Sequence, residues 1–373
     1  MKNILLSLML LFVYSCKTNN ETVTIHPTEE NINPDLAINN TITDNSGSEQ
    51  NFLSEKYRWI TDYTHILSVG KKYGEDYEML GKVKDAFFDD ETNQLYVLDE
   101  QVFGVMVYNS QGEYESTISR KGRGPGELVT PESFRIKGNK LYVLNNHFDV
   151  KVFEKNNTDE FEASAMIEAT SPPDDFCISG NDIFIYTIPQ LEKGEKERKS
   201  VQQINIDNFE VANNFGRIYK SKSEISTTFL SMGGIECTDG ANEVVTYFKD
   251  MNFLFAYGKD GQIRWTTKFQ DFNFLKIVED GNMLGPDPKE TQKHFNKIEN
   301  LQTINEEAFF VQTGDYILSD GEYRKTYKTY VINFSDGAGI FISDQWPLIL
   351  SSSNKEIVFL EDEEFSKVSV FKY

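Results

Sequence analysis

A short apolar segment recurs along this chain, and no other feature narrows the possible folds as far. Leu95-Tyr96-Val97-Leu98-Asp99 returns as Leu141-Tyr142-Val143-Leu144-Asn145 and, less closely, as Ile183-Phe184-Ile185-Tyr186. Later echoes are Val244-Val245-Thr246-Tyr247, Phe309-Phe310-Val311 and Ile357-Val358-Phe359-Leu360. Successive copies lie 46, 42, 61, 65 and 48 residues apart. Each is a β-branched and aromatic run of strand length, in a chain whose aromatic content reaches 13%, and such residues suit a pleated, half-buried surface. Turns precede the runs, as in Gly138-Asn139-Lys140, Gly180-Asn181-Asp182, Gly240-Ala241-Asn242 and Ser353-Asn354-Lys355. A further strand follows, such as Val105-Met106-Val107-Tyr108 or Val150-Lys151-Val152-Phe153, and then another Gly turn. This order is the meander of a four-stranded blade, and six copies predict an all-β, six-bladed β-propeller over residues 56–373.

The two ends of the repeat region predict how the ring closes. Val368-Ser369-Val370-Phe371 matches the third strand of a blade and has no fourth after it. Thr64 to Val69 matches the fourth strand of the first blade and has no blade before it. This N-terminal strand is therefore expected to complete the last blade, since an open blade would leave an unpaired edge.

Between one blade's outer strand and the next inner strand lies Lys121-Gly122-Arg123-Gly124-Pro125-Gly126-Glu127-Leu128. It resembles the Gly-x-Gly-Pro-Gly-Glu segment of a family of bacterial six-bladed β-propeller lipoproteins, distantly similar to NHL-repeat and TolB-type propellers. A decayed copy, Gly70-Lys71-Lys72-Tyr73-Gly74 with Glu78, follows Val69, whereas blades three to five keep only a trace in Phe215-Gly216-Arg217. The resemblance covers residues 56–373 and implies a fold and an envelope location, but no activity. As a phosphate cradle the segment is poorly made: Pro125 lacks an N–H, and Val129-Thr130-Pro131 does not start a helix. It reads as a chain reversal, with Arg123 a candidate partner contact.

The first residues carry an address. Lys2 is followed by an apolar run from Ile4 to Tyr14 and then by Val13-Tyr14-Ser15-Cys16, which looks like a bacterial lipobox. Eleven apolar residues are too few to span roughly 30 Å of hydrocarbon. Residues 1–15 are therefore expected to be a removable signal peptide, with Cys16 the site of lipidation. Residues 16–55 are rich in Asn, Thr and acids, and read as a disordered tether able to hold a domain roughly 35 Å from the bilayer. Outer-membrane residence is the favoured location, because Lys17 rather than Asp follows Cys16.

Charge excludes one class of partner. With 37 basic and 59 acidic residues the net charge is -22, which repels nucleic acid. Three Cys and four His are too few for a disulfide framework or a zinc ribbon, and His26, His65, His147 and His294 show no ligand spacing. Cys177 and Cys237 fall at equivalent places on neighbouring inner strands and are expected to be buried free thiols. Asp287-Pro288-Lys289-Glu290 resembles a capped helix start, and Phe295, Ile298 and Leu301 recur at steps of three. Those signs predict a helix from Pro288 to Glu299.

Two functional classes follow. One is a ligand- or protein-binding and assembly module, its partner a protein, peptide or glycan and its domain monomeric. The alternative is a channel-site hydrolase or lyase of the six-bladed lactonase kind, using a divalent cation. No catalytic motif is visible, so binding is favoured. Tyr316, Tyr323 and Tyr327, in a hairpin insertion from Asp315 to Tyr327, join Arg123 as candidate partner contacts. The repeat also aligns Asp85, Glu132, Asp174 with Asp175, and Glu236 near the start of inner strands. Acids converging there would repel one another or recruit a hard cation such as Ca²⁺.

Overall fold

The computed structural model describes residues 23–25, 37–43, 57–145, 149–188, 198–221, 223–240, 242–280, 283–286, 291–362 and 365–373. Six antiparallel meanders form a ring, each running from an inner strand at the axis to an outer strand at the rim. Blade one comprises Val83–Asp89, Gln94–Asp99, Gly104–Tyr108 and Tyr114–Ile118. Blade two comprises Pro131–Lys137, Lys140–Asn145, Asp149–Lys155 and Phe161–Glu168. The inner strands of blades three to six are Pro173–Ser179, Gly233–Cys237, His294–Thr303 and Leu348–Ser352. Each inner strand touches the next, and the sixth touches the first. All six begin on one face, termed the upper face.

The repeated apolar run is the second strand of each blade, and its position explains its composition. Leu95, Val97 and Leu98, and likewise Leu141, Val143 and Leu144, are completely buried, because a middle strand is covered by a neighbouring blade on both faces. The core is accordingly divided into six apolar clusters, one at each junction between blades. In the junction of blades one and two, Tyr96, Leu98 and Val105 pack on Leu141, Val143 and Phe153.

The ring closes as its two ends predict. Thr64–Val69 is the outer strand of blade six, antiparallel to Lys367–Lys372, with Val69 opposite Val368 and Ser68 opposite Ser369. A 3-10 turn, Arg58–Thr61, leads into it, and Tyr57 and Ile60 are buried beneath blades five and six with Phe310, Trp346 and Phe359.

Two pieces of the segment expected to be a tether are described, and both contain strands. Val23–Ile25 pairs with Ile277–Asp280, which forms a hairpin with Met283–Pro286. Asn40–Ile42 adds a parallel fifth strand to blade four along Ile263–Phe269. Asn39 donates its N–H to the Thr266 carbonyl and accepts the Thr266 N–H on its side-chain oxygen. Ile42 is buried against Trp265, Phe269, Tyr330 and Ile332. An outer strand offers a row of unpaired backbone groups, and a polar segment with one apolar residue suffices to pair with it.

Three other expectations are overturned. His294–Glu299 lies in a ten-residue inner strand, not a helix, while residues 287–290 lie outside the described residues. A β-bulge at Ile298/Asn300 brings Ile298 and Leu301 into the same apolar cluster, which imitates helical spacing. Cys177 and Cys237 form a disulfide, with Cα atoms 5.8 Å apart. Neighbouring blades diverge at the rim but converge at the axis, where both cysteines sit. Finally, the hairpin from Asp315 to Tyr327 is present and keeps Tyr323 exposed, but its three tyrosines, Tyr316, Tyr323 and Tyr327, lie on the paired strands Ala308–Ser319 and Glu322–Asn333 rather than in a loop. Tyr327 is buried, Tyr316 stacks on Phe295 at 4.8 Å, and the Tyr323 hydroxyl donates to the Gln292 carbonyl.

Candidate functional site

The repeat ends in a polar residue, Asp99 in blade one and Asn145 in blade two, and both are fully enclosed. Each turns back to hold the loop that enters its own blade. Asp99 accepts the N–H groups of Gly81, Lys82 and Gln101 at 2.6, 3.1 and 2.8 Å. Asn145 accepts those of Val129 and Thr130 at 2.9 and 3.1 Å. Loop N–H groups that no ladder can pair are thus satisfied, in these two blades, by one side chain each.

The Gly-rich loop before blade two is built around its own acid. The Glu127 carboxylate accepts the Gly124 N–H at 2.8 Å and the Arg120 Nε–H at 3.1 Å. These bonds hold the acid below its ordinary range. A side chain on Gly122, whose φ is +159°, would overlap that carboxylate. The place where a phosphate would sit is therefore filled from within, in agreement with the loop's reading as a chain reversal.

Between this loop and blade two lies a pocket of about 360 Å³. Gly122, Arg123, Glu127 and Val129 form one wall, and Asn145, Asp149 and Lys151 form the other. Lys151 is only 6% exposed; its ammonium meets Asp149 Oδ2 at 3.2 Å and the Met166 sulfur at 3.2 Å. Asp149 in turn accepts from the Asn145 amide at 2.9 Å. The floor is a linked polar network of Asn145, Asp149 and Lys151, and the rim carries the exposed Arg123. His147 lies outside the described residues.

A second group of charges sits inside the channel. Asp85 bridges its own following N–H, from Ala86 at 2.9 Å, and the Phe134 N–H of the next inner strand at 3.0 Å. Asp175 does the same one pair of blades further on, with Phe176 at 2.8 Å and Ile235 at 3.1 Å. An inner strand is a sheet edge, so these carboxylates take the place of a missing neighbour strand. Between them lies the Arg135 guanidinium, 3.1 Å from Asp85, 3.9 Å from Asp175 and 4.0 Å from Glu236. Burial raises Asp85 to about 6 and Glu236 to about 7, opposed by the guanidinium. Asp175 is displaced upward for the same reason.

The structure therefore brings Asp85, Asp175 and Glu236 together but not the other two acids. Glu132 pairs with Lys84 at 2.5 Å, and Asp174 with Lys249 at 3.2 Å and the Gly233 N–H at 2.9 Å. Lys84, Glu132 and Asp174 are the extra residues of equivalent β-bulges, which moves them out of phase with their neighbours. Among the described residues no three acids, His or Cys gather as metal ligands. A guanidinium sits where a cation was expected, so the Ca²⁺ expectation has no ligand set to support it. Arg135, Asn145, Asp149 and Lys151 were all missed from sequence. The signal for Asn145 was present, as the polar last position of the repeat.

Residues 80–251 match the model of a family described as a 6-bladed beta-propeller, DUF5128. No curated protein matches the chain. Among solved structures, a candidate exported protein from Bacteroides fragilis is similar at 10% identity and a TM-score of 0.54, over 89% of this chain and 98% of its own. A DUF4221 family member from Bacteroides vulgatus is similar at 12% identity and a TM-score of 0.51, over 83% and 97%. At such identities the likeness is one of fold.

Proposed function

We propose that this is a lipid-anchored envelope protein, acylated at Cys16 after loss of residues 1–15, whose propeller binds a partner or ligand on its upper face. The observation that carries the binding reading is the pocket over blade two. Its walls are pre-formed, because Asn145 and Glu127 hold the loop from both ends, and preorganised polar sites bind at low ordering cost. Cysteine use supports export: one thiol takes the lipid, and the other two form the disulfide of an oxidising compartment. The similar Bacteroides fragilis protein is itself described as a candidate exported protein.

The paired strand at Val23 shortens the free chain. Six residues separate Cys16 from Val23, a reach of at most about 25 Å, so the hairpin that pairs with Val23, whose Ile277 packs in the cluster between blades three and four, lies close to the bilayer. A photo-crosslinking amino acid at Arg120, on the upper face, should give a discrete adduct in living cells. The same probe at Asn139, on the opposite face, should give none. No adduct at Arg120, or equal adducts from both faces, contradicts the reading.

A channel hydrolase or lyase has one observation in its favour. Glu236 near 7 sits where a carboxyl can both give and take a proton at neutral pH. On this reading Glu236→Gln abolishes turnover; on the binding reading it leaves partner binding intact.

A further inference from the structure

The pocket over blade two has its charges unequally spent. Glu127 is committed to the Gly124 N–H and to Arg120. Asp149 is committed to Asn145 and Lys151. The Arg123 guanidinium, exposed at the rim, has no hydrogen-bond or ion-pair partner among the described residues. Lys151 carries three N–H donors, and its two described contacts are Asp149 and a thioether. Both acids of the pocket are thus neutralised in place, while donors on both cationic side chains remain open to a ligand.

We propose that this pocket binds the carboxylate of a small polar ligand, with Arg123 as the fork that grips it and Lys151 as the buried donor opposite. A planar carboxylate matches the guanidinium in a two-bond geometry. A phosphate dianion fits less well. Glu127 is balanced by Arg120 and Asp149 by Lys151, which leaves Arg123 as one unmatched cation in a chain that carries -22, so a single negative charge is matched and a second meets repulsion with no added cation. The volume admits a molecule of sugar-acid or dipeptide size. Asn145 and Lys151 on the floor leave the remainder of the ligand to be polar rather than apolar. The inference rests on the upper face being a binding surface, and adds to it the chemical group recognised.

Calorimetric titration of the full mature protein with two acids and their uncharged counterparts tests it. D-glucuronate is compared with D-glucuronamide, and N-acetyl-dialanine with its C-terminal amide, which separates a sugar acid from a peptide terminus as the source. The expected result is that at least one acid binds, its amide does not, and added salt weakens the acid. Arg123→Gln should weaken that acid by about tenfold or more, with thermal stability unchanged because the side chain is exposed. Neither acid binding at about 20 mM, an acid and its amide binding alike, or Arg123→Gln binding as the parent would each overturn the proposal. Adducts at Arg120 in cells together with no acid binding would remove only the carboxylate assignment and leave the binding face standing.

Discussion

The hydroxyls of Ser68 and Ser369 lie 2.6 Å apart, although 301 positions separate them in the chain. They face each other across the two strands that close the ring. Closure therefore depends on a pairing between the beginning and the end of the propeller, and it buries Leu67 and Val69 with Val358, Val368 and Val370.

A Ser68→Cys, Ser369→Cys pair should oxidise without rearrangement, since directly opposed residues of antiparallel strands meet the geometric needs of a disulfide. The crosslink should stabilise the fold by about 3–5 kcal/mol, because it closes a very long loop. Failure to crosslink under mild oxidation in the folded protein contradicts the pairing.

Removing the native Cys177–Cys237 bond should be costly. It joins positions 60 residues apart, for which the loop-closure argument gives about 4 kcal/mol. Denaturant unfolding with and without reductant measures it. Equal midpoints would show that the bond does not constrain the unfolded chain.

The charges around Arg135 predict a direction for the pH dependence. Asp85 rises from 3.8 to about 6 and Glu236 from 4.5 to about 7 on folding. Between those limits the folded state binds more protons than the unfolded one. Their contribution is complete below about pH 4, declines as pH rises to about 7, and is then constant. The loss is on the order of 3 kcal/mol for each group. Glu236→Gln should remove its share and raise stability at pH 8; unfolding curves from pH 4 to 8 with the parent's slope would contradict this.

The added strand on blade four gives a truncation test. A chain beginning at residue 37 keeps this strand, while one beginning at residue 44 loses Ile42, whose carbonyl accepts the Gln270 N–H, and Asn39, which bonds to Thr266 in both directions. The cost should be about 2–4 kcal/mol, the range for emptying a buried aliphatic site. Equal melting of the two truncations would show that Asn40–Ile42 does not pack in solution.

Much of the fold was legible because a buried middle strand has to be apolar along its whole length. That requirement writes Leu-Tyr-Val-Leu into two blades almost unchanged and leaves traces in the others. What was hidden depended on single extra residues. Lys84, Glu132 and Asp174 occupy the same bulge position in three blades, so the counterpart of Asp85 in blade two is Ser133 and not Glu132. Structure instead sets Arg135 beside Asp85. The bulge at Ile298/Asn300 likewise gave an inner strand the spacing of a helix. The contact between Cys177 and Cys237 follows from the narrowing of the ring towards its axis, which no linear pattern records. Ile42 is one apolar residue in a polar stretch, too weak a signal to mark a strand that is stabilised mainly by a free edge. The pocket over blade two was half visible, through Arg123 and the Gly-rich segment. Its floor was not, because Asn145, Asp149 and Lys151 look like ordinary polar ends of strands.

Attachment at Cys16 is tested most directly by mass spectrometry of the N-terminal peptide of the protein recovered from membranes. The account predicts a chain that begins at Cys16 and carries a diacylglyceryl group on its sulfur, with Cys16→Ser shifting the protein to the soluble fraction. A mature chain beginning elsewhere, or an unmodified Cys16 in protein that still sediments with membranes, would contradict it.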